Sequence, residues 1–148
     1  DGYGSDVTTA LKVSDFYNQL SSMKSKGVTV FLDACFSGSQ KTGEMLASAR
    51  GVAIKVKDEK TMGNLVVVSA AQGDQTAYPY SEKQHGLMTY FLLKKLQETK
   101  GEATLGELSD YIITNVKRVS LVEQGKSQIP SVIFDVTNVD WKEQILRW

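Results

Sequence analysis

The 148-residue sequence is poor in cysteine and histidine, with one residue of each type. A single cysteine excludes an internal disulfide framework, and one cysteine with one histidine argues against a structural zinc site. Neither sign of charge is in excess, because 17 basic and 17 acidic residues give a formal net charge of zero. We therefore expect neither nucleic acid nor a membrane surface among the partners. Apolar runs long enough to span a bilayer are also lacking.

What is present predicts an α/β domain with an apolar core. Hydrophobic residues make up 41% and charged residues 23% of the chain, which is typical of a globular domain. Thr104 and Glu107 have the spacing of a capping box and predict the start of a helix. Apolar spacing predicts helices over 13–26, 85–99 and 104–119, strands over 28–33, 65–69 and 131–136, and a short helix within 139–148.

The one cysteine lies just after the predicted carboxyl end of a buried strand. Cys35 follows the apolar run that begins at Val28, and open α/β sheets present reactive side chains at the carboxyl ends of such strands. A cysteine there is either a nucleophile or a small buried apolar residue, since free cysteines are commonly buried. Asp33 favours the first interpretation, because a carboxylate at a strand end is costly without a purpose. Ser37 and Gly38 follow and offer backbone N–H groups at a turn.

Three segments resemble those of caspase-like cysteine peptidases, in particular of the metacaspase and bacterial caspase-homologue branch. The segment 33–38 reads Asp-Ala-Cys-Phe-Ser-Gly, which is similar to the family's Asp-x-Cys-x-Ser-Gly signature. The segment 68–78 resembles the strand and loop that begin the small-subunit region and line the substrate cleft. The segment 85–91, His-Gly-Leu-Met-Thr-Tyr-Phe, resembles a helix start in bacterial members. The resemblance implies a partial caspase-like (caspase–hemoglobinase) fold, a mostly parallel sheet flanked by helices.

The resemblance also implies a mechanism and a specificity. Cys35 would attack a peptide carbonyl to form an acyl-enzyme, while its own backbone N–H donates to the oxyanion. Asp33 occupies the position that, in metacaspases and paracaspases, lies in the specificity pocket and pairs with a substrate Arg or Lys. Caspases that cut after aspartate have glutamine at this position. The alternative is that Asp33 caps a nearby backbone turn.

Further substrate contacts follow from the second matching segment. Asp74 matches an acidic position of the metacaspase loop and is a weaker candidate for the same pocket. Its alternative is an ordinary Gly-Asp turn. By the same resemblance, Ser69 and Ala70 would present backbone groups to an extended substrate strand.

The general base is expected outside this sequence. In caspases it lies roughly 50 residues before the cysteine, and counting back from Cys35 passes Asp1. His85 precedes Gly86 but matches the helix start, so we do not assign it as the base. The expected partners are thus a protein or peptide substrate, an N-terminal segment that carries the histidine (a separate chain or missing), and a second copy of the chain.

The chain is predicted to be a single partial domain, 1–148. Residues 1–38 correspond to the end of the large-subunit-like part, 39–63 to a basic linker and 64–148 to the small-subunit-like part. Self-cleavage in the linker would match the specificity expected from Asp33, and the alternative is a solvated basic loop. The basic residues of the linker are Lys41, Arg50, Lys55, Lys57 and Lys60.

No cofactor or metal is expected. Calcium activates many metacaspases through acidic residues after the Ser-Gly pair, whereas Ser39, Gln40 and Lys41 follow here, which argues against calcium dependence. Two function classes stay open. One is a cysteine endopeptidase that cuts after Arg or Lys, and the other is a catalytically inactive caspase homologue that binds protein through its sheet edge or cleft.

Overall fold

A three-stranded sheet lies between one helix on one face and two helices on the other in the computed structural model, which describes residues 12–34, 63–72 and 75–146. The α/β class expected from the sequence is therefore confirmed. The elements are helices α1 (Val13–Ser21), α2 (Leu87–Thr99) and α3 (Leu105–Gln124), strands β1 (Val28–Leu32), β2 (Leu65–Ser69), β3 (Pro79–Tyr80), β4 (His85–Gly86) and β5 (Ser131–Phe134), and 3-10 turns at Ser81–Lys83 and Trp141–Glu143.

The sheet has the order β1-β2-β5, with β1 and β2 parallel and β5 antiparallel to β2. All five residues of β2 are buried, whereas those of β1 are half-buried. This is the burial expected of a central strand beside a strand that, among the described residues, has a neighbour on one side only. The parallel register pairs Leu32 with Ser69, so the carboxyl ends of β1 and β2 lie together.

The period-2 alternation of β2 divides the core into two layers. Val66 and Val68 face a large apolar cluster built from α2 and α3, and this cluster includes Phe91 and Ile112. The intervening side chains, such as Val67, face a smaller cluster supplied by α1. β2 is thus covered on both faces. The two apolar clusters fix its position in the sheet from both sides.

Helix α3 begins with the predicted capping box. The Glu107 N–H donates to Thr104 Oγ1 at 3.2 Å, and the Thr104 N–H donates to the Glu107 carboxylate at 3.0 Å. The helix ends at Gln124, five residues later than predicted, because Gly125 at φ 62° is the first residue that leaves the right-handed conformation. No helix within the described ranges is long and apolar enough to cross a membrane.

Other element boundaries were also predicted wrongly, and strands β1 and β5 end one and two residues before their predicted ends. α1 ends at Ser21 and not at residue 26, and Ser22 donates its hydroxyl to the Gln19 carbonyl, which is a bond that competes with further helical turns. α2 begins at Leu87, because the two preceding residues pair with β3 in a short hairpin. In the described part of the predicted final helix, residues 139–146, the helical residues are those of the three-residue 3-10 turn Trp141–Glu143. The sequence also allows a short helix over 43–49, which lies outside the described residues.

Candidate functional site

The carboxyl ends of β1 and β2 bring together three of the residues predicted to bind substrate. The Ala70 N–H donates to the Leu32 carbonyl at 2.8 Å, which fixes Ala70 beside the peptide that leads into Asp33. Ser69 and Ala70 are buried, and Asp33 is half-buried. These three residues therefore meet at one edge of the sheet, as the strand pattern predicts.

The remaining predicted site residues lie outside the described residues. They are the nucleophile Cys35, the second acidic candidate Asp74 and the linker residues Lys41, Arg50, Lys55, Lys57 and Lys60. Their roles stay predictions.

The Asp33 carboxylate is bound to the first turn of α2. Its Oδ2 accepts a hydrogen bond of 2.6 Å from the Thr89 hydroxyl and another of 3.1 Å from the Thr89 N–H. Gly86 is the N-cap of α2 and provides no side chain for this purpose, so Asp33 supplies the cap from another part of the chain. The positive end of the helix dipole also favours a carboxylate here. The alternative from the sequence was that Asp33 caps a nearby backbone turn. Asp33 does cap a turn, but it is the first turn of α2, which is distant in sequence.

Gly86 is glycine because Asp33 lies against it. A Cβ built on Gly86 would be 1.9 Å from Asp33 Oδ2 and 2.6 Å from Asp33 Cγ. The Gly86 backbone, at φ −63° and ψ 149°, is open to any L residue, so the requirement is for space and not for backbone freedom. Gly86 and Thr89 together set the position of the carboxylate.

The second carboxylate oxygen has no partner among the described residues. Asp33 Oδ1 is buried and accepts no hydrogen bond there, whereas Oδ2 accepts two. A buried acceptor without a donor carries an unmatched desolvation cost. A cationic group such as a guanidinium or an ammonium would satisfy it with a charge-assisted hydrogen bond.

The side chain of Gln128 forms hydrogen bonds to both ends of the segment 70–78. The Ala70 carbonyl accepts from Gln128 Nε2 at 2.9 Å, and the Tyr78 N–H donates to Gln128 Oε1 at 2.8 Å. Both backbone groups of Ala70 are therefore already hydrogen bonded within the protein. A substrate strand that donated to the Ala70 carbonyl would have to use the second lone pair of this oxygen, because Gln128 occupies the first.

His85 is exposed and lies in the short hairpin that leads into α2, where it pairs with Tyr80. His85 thus lies two residues before the first residue of α2, and not within the helix as predicted. Burial raises the pKa of Tyr80, and the nearby Glu123 carboxylate raises it further. The Tyr80 ring packs edge-on against Tyr90 of α2 with centroids 5.0 Å apart, which anchors the hairpin to the helix.

Sequence reasoning missed Thr89, Gly86 and Gln128 as parts of this site. One local signal was available, because a helix that starts at Gly86 without a side-chain cap calls for a cap from elsewhere. Gln128 had no comparable signal. The part of the chain that the structure describes contains no cluster of three His, Cys, Asp or Glu residues that could hold a metal ion.

The geometry defines an α/β protein with a fixed carboxylate at the end of the parallel strand pair β1 and β2, two residues before a cysteine in sequence. A model of the caspase domain matches residues 3–139, so the chain belongs to the caspase domain family of cysteine peptidases. No curated protein sequence matches the chain significantly.

Proposed function

We propose that this protein is a caspase-type cysteine endopeptidase that cleaves after Arg or Lys. Cys35 attacks the carbonyl carbon of the scissile bond, the leaving amine departs with a proton, and water then hydrolyses the thioester. By the family resemblance, the proton is carried by a histidine of a segment that precedes Asp1. Asp33 receives the cationic side chain on the acyl side of the bond.

The observation that supports this specificity is the unequal use of the two Asp33 oxygens. Thr89 binds Oδ2 and fixes the orientation of the carboxylate, and Oδ1 is left buried without a donor among the described residues. A carboxylate that is fixed in place loses little further freedom on binding, so it is well suited to a cation. Cleavage after aspartate would place two carboxylates together, which is unfavourable.

The test separates the charge of Asp33 from its role as a helix cap. In Asp33→Asn the amide oxygen can still accept both bonds from Thr89, but the negative charge is gone. We expect the variant to fold normally and to lose about 100-fold or more in kcat/KM on arginyl and lysyl peptides, because an unpaired buried cation costs about 3–5 kcal/mol. Cys35→Ala should abolish turnover. The assay is made with the histidine-bearing segment present and absent.

A matched control is available at Asp135. This carboxylate also accepts from a threonine hydroxyl, that of Thr137, at 2.7 Å, and from the Thr137 N–H at 2.8 Å. Asp135→Asn should leave the preference for Arg and Lys unchanged. Retention of arginyl turnover in Asp33→Asn would refute the pocket assignment, and Asp74→Asn then tests the second acidic candidate.

A second candidate function is a caspase-homologous interaction module without activity. The observation that favours it is that capping α2 already gives Asp33 a structural purpose. Absence of Cys35-dependent turnover in every preparation, with the histidine segment present, would favour this candidate.

The linker provides an internal substrate for the proposed peptidase. We expect cleavage after one or more of its basic residues when the protein is incubated with the histidine segment present, and mass spectrometry identifies the site. A linker that stays intact, or one that is cut equally in Cys35→Ala, contradicts this expectation. The residues to inspect are Lys41, Arg50, Lys55, Lys57 and Lys60.

A further inference from the structure

Gln128 is a fully buried polar residue in the segment between α3 and β5. Its side chain is 0% exposed, and both ends of its amide are hydrogen bonded to backbone groups. The Tyr78 N–H can only donate and the Ala70 carbonyl can only accept, so these partners fix which end is oxygen and which is nitrogen. The backbone N–H of Gln128 in turn donates to Ser120 Oγ of α3 at 2.9 Å, which anchors the residue to the helix.

This side chain connects the two ends of the segment 70–78. One reciprocal bond strengthens the connection, because the Ile129 N–H donates to Gln75 Oε1 at 2.8 Å. Three hydrogen bonds thus join the segment to residues that lie 50 to 58 positions later in the chain. A bare loop of this length would otherwise sample many conformations.

From both anchor points, hydrogen bonds continue to Asp33. On one side, the Ala70 N–H donates to the carbonyl of Leu32, the residue before Asp33. On the other side, the Leu87 N–H donates to the Tyr78 carbonyl at 2.9 Å. Leu87 begins α2, the helix whose third residue, Thr89, binds the Asp33 carboxylate. The two routes meet at Asp33, one through its backbone and one through its side chain.

We infer that Gln128 is a positioning residue that sets the location of the Asp33 carboxylate through Ala70 and Tyr78. This inference rests on the proposed function, in which Asp33 binds the substrate cation. Gln128 itself contacts no substrate in this account. The competing explanation is that Gln128 only satisfies two buried backbone groups, in which case its loss would affect the segment 70–78 and leave Asp33 in place.

Two variants and one control distinguish these explanations. Gln128→Met has a similar shape but makes neither side-chain bond. Gln128→Glu keeps the acceptor for Tyr78 and regains the donor for Ala70 only when the new carboxyl is protonated, which burial favours. The control is Gln144→Met, because Gln144 also uses its side-chain amide, to Asn138 at 3.2 Å, but it lies near Gly27 at the opposite end of β1.

The first measurement is hydrogen exchange of backbone amides in the intact protein, which does not depend on activity. We expect Gln128→Met to speed exchange of the Tyr78 and Thr89 amides by about tenfold or more, because two buried backbone groups lose their hydrogen-bond partner. Gln144→Met should change neither amide. Faster exchange at Tyr78 with no change at Thr89 would overturn the inference, whether or not the protein proves to be a peptidase.

The second measurement is turnover of arginyl peptides. Gln128→Met should lower kcat/KM by about tenfold, mainly through KM, because the carboxylate that binds the cation is displaced. For Gln128→Glu, we compare kcat/KM with that of the wild type at the same pH. This ratio should rise towards one as the pH is lowered, because protonation of the new carboxyl restores the donor to Ala70. Wild-type kinetics in Gln128→Met would refute the inference. An inactive wild type would refute the proposed function instead, and amide exchange alone would then decide the role of Gln128.

Discussion

Replacing Gly86 by alanine tests the arrangement around Asp33 directly. The added methyl carbon would lie 1.9 Å from Asp33 Oδ2, and separations under 3.0 Å are essentially never seen for a Cβ. The carboxylate must therefore move by about 1.1 Å, which breaks or severely lengthens its 2.6 Å bond to the Thr89 hydroxyl. A hydrogen bond to a charged group contributes about 1.5–3 kcal/mol. We expect this clash in Gly86→Ala to lower the free energy of unfolding by about 1.5–3 kcal/mol.

The effect of the substitution on backbone entropy has the opposite sign, so the sign of the change in unfolding free energy shows whether the clash is present. The Gly86 backbone conformation is accessible to alanine, and a compatible Gly→Ala change stabilises a protein by about 0.4–1 kcal/mol. Any net destabilisation must then come from the clash. Denaturant unfolding of the single variants and of Gly86→Ala with Asp33→Ala forms a double-mutant cycle. Asp33→Ala removes all three atoms closest to the new methyl group.

The cycle has a definite expected outcome. In the Asp33→Ala background, Gly86→Ala should be neutral or slightly stabilising, so the two penalties should not add. Gly27→Ala is the control, because its Cβ would meet only the end of the flexible Gln144 side chain at 3.2 Å, and it should change stability by no more than about 0.5 kcal/mol. An equal penalty for Gly86→Ala with and without the Asp33 carboxylate would refute the reasoning.

Three further predictions concern single hydrogen-bonding groups, each measured by denaturant unfolding. Thr89→Val removes the hydroxyl bond to the carboxylate and should cost about 1.5–3 kcal/mol, more than Thr99→Val, which removes a bond within α2; equal costs would contradict this. The Thr137 hydroxyl and N–H hold the pKa of Asp135 below its usual range, so the stabilisation it provides is present above the unfolded pKa and lost as the pH falls through the folded one. Asp135→Asn should therefore be more destabilising at neutral than at strongly acid pH, and a constant penalty would count against the assignment. Thr104→Ala should cost about 1 kcal/mol through loss of the capping box, and no measurable change would be inconsistent with it.

Features that depend on neighbouring residues could be predicted from the sequence. The strand 65–69 was predicted with the bounds that the structure has, because an uninterrupted apolar run between polar segments describes a central strand well. The cap at Thr104 was predicted for the same reason, since its partner lies three residues away. The ends of α1 and α3 were missed because apolar spacing says little about exposed final turns.

The contacts that shape the site could not be predicted in this way, because they join residues far apart in the chain. Asp33 meets Thr89 and Gly86 only after β1 is placed beside the start of α2, and Gln128 meets Ala70 only after α3 has returned the chain to the sheet. Nothing in the segment around Gln128 marks it as buried. Such residues are found only from the three-dimensional arrangement.

The two interpretations of Asp33 that the sequence leaves open do not compete for the same atoms. Capping α2 uses Oδ2 alone, whereas binding a cation requires an oxygen that has no donor, and Oδ1 fits this description among the described residues. The cap also lowers the cost of the second role, because a carboxylate that is already fixed and desolvated does not have to be ordered by the substrate. A residue that only capped the helix could be replaced by asparagine at some cost in stability but with no effect on substrate preference. A residue with both roles would keep the fold and lose the preference for basic substrates, so Asp33→Asn distinguishes a structural carboxylate from a specificity determinant.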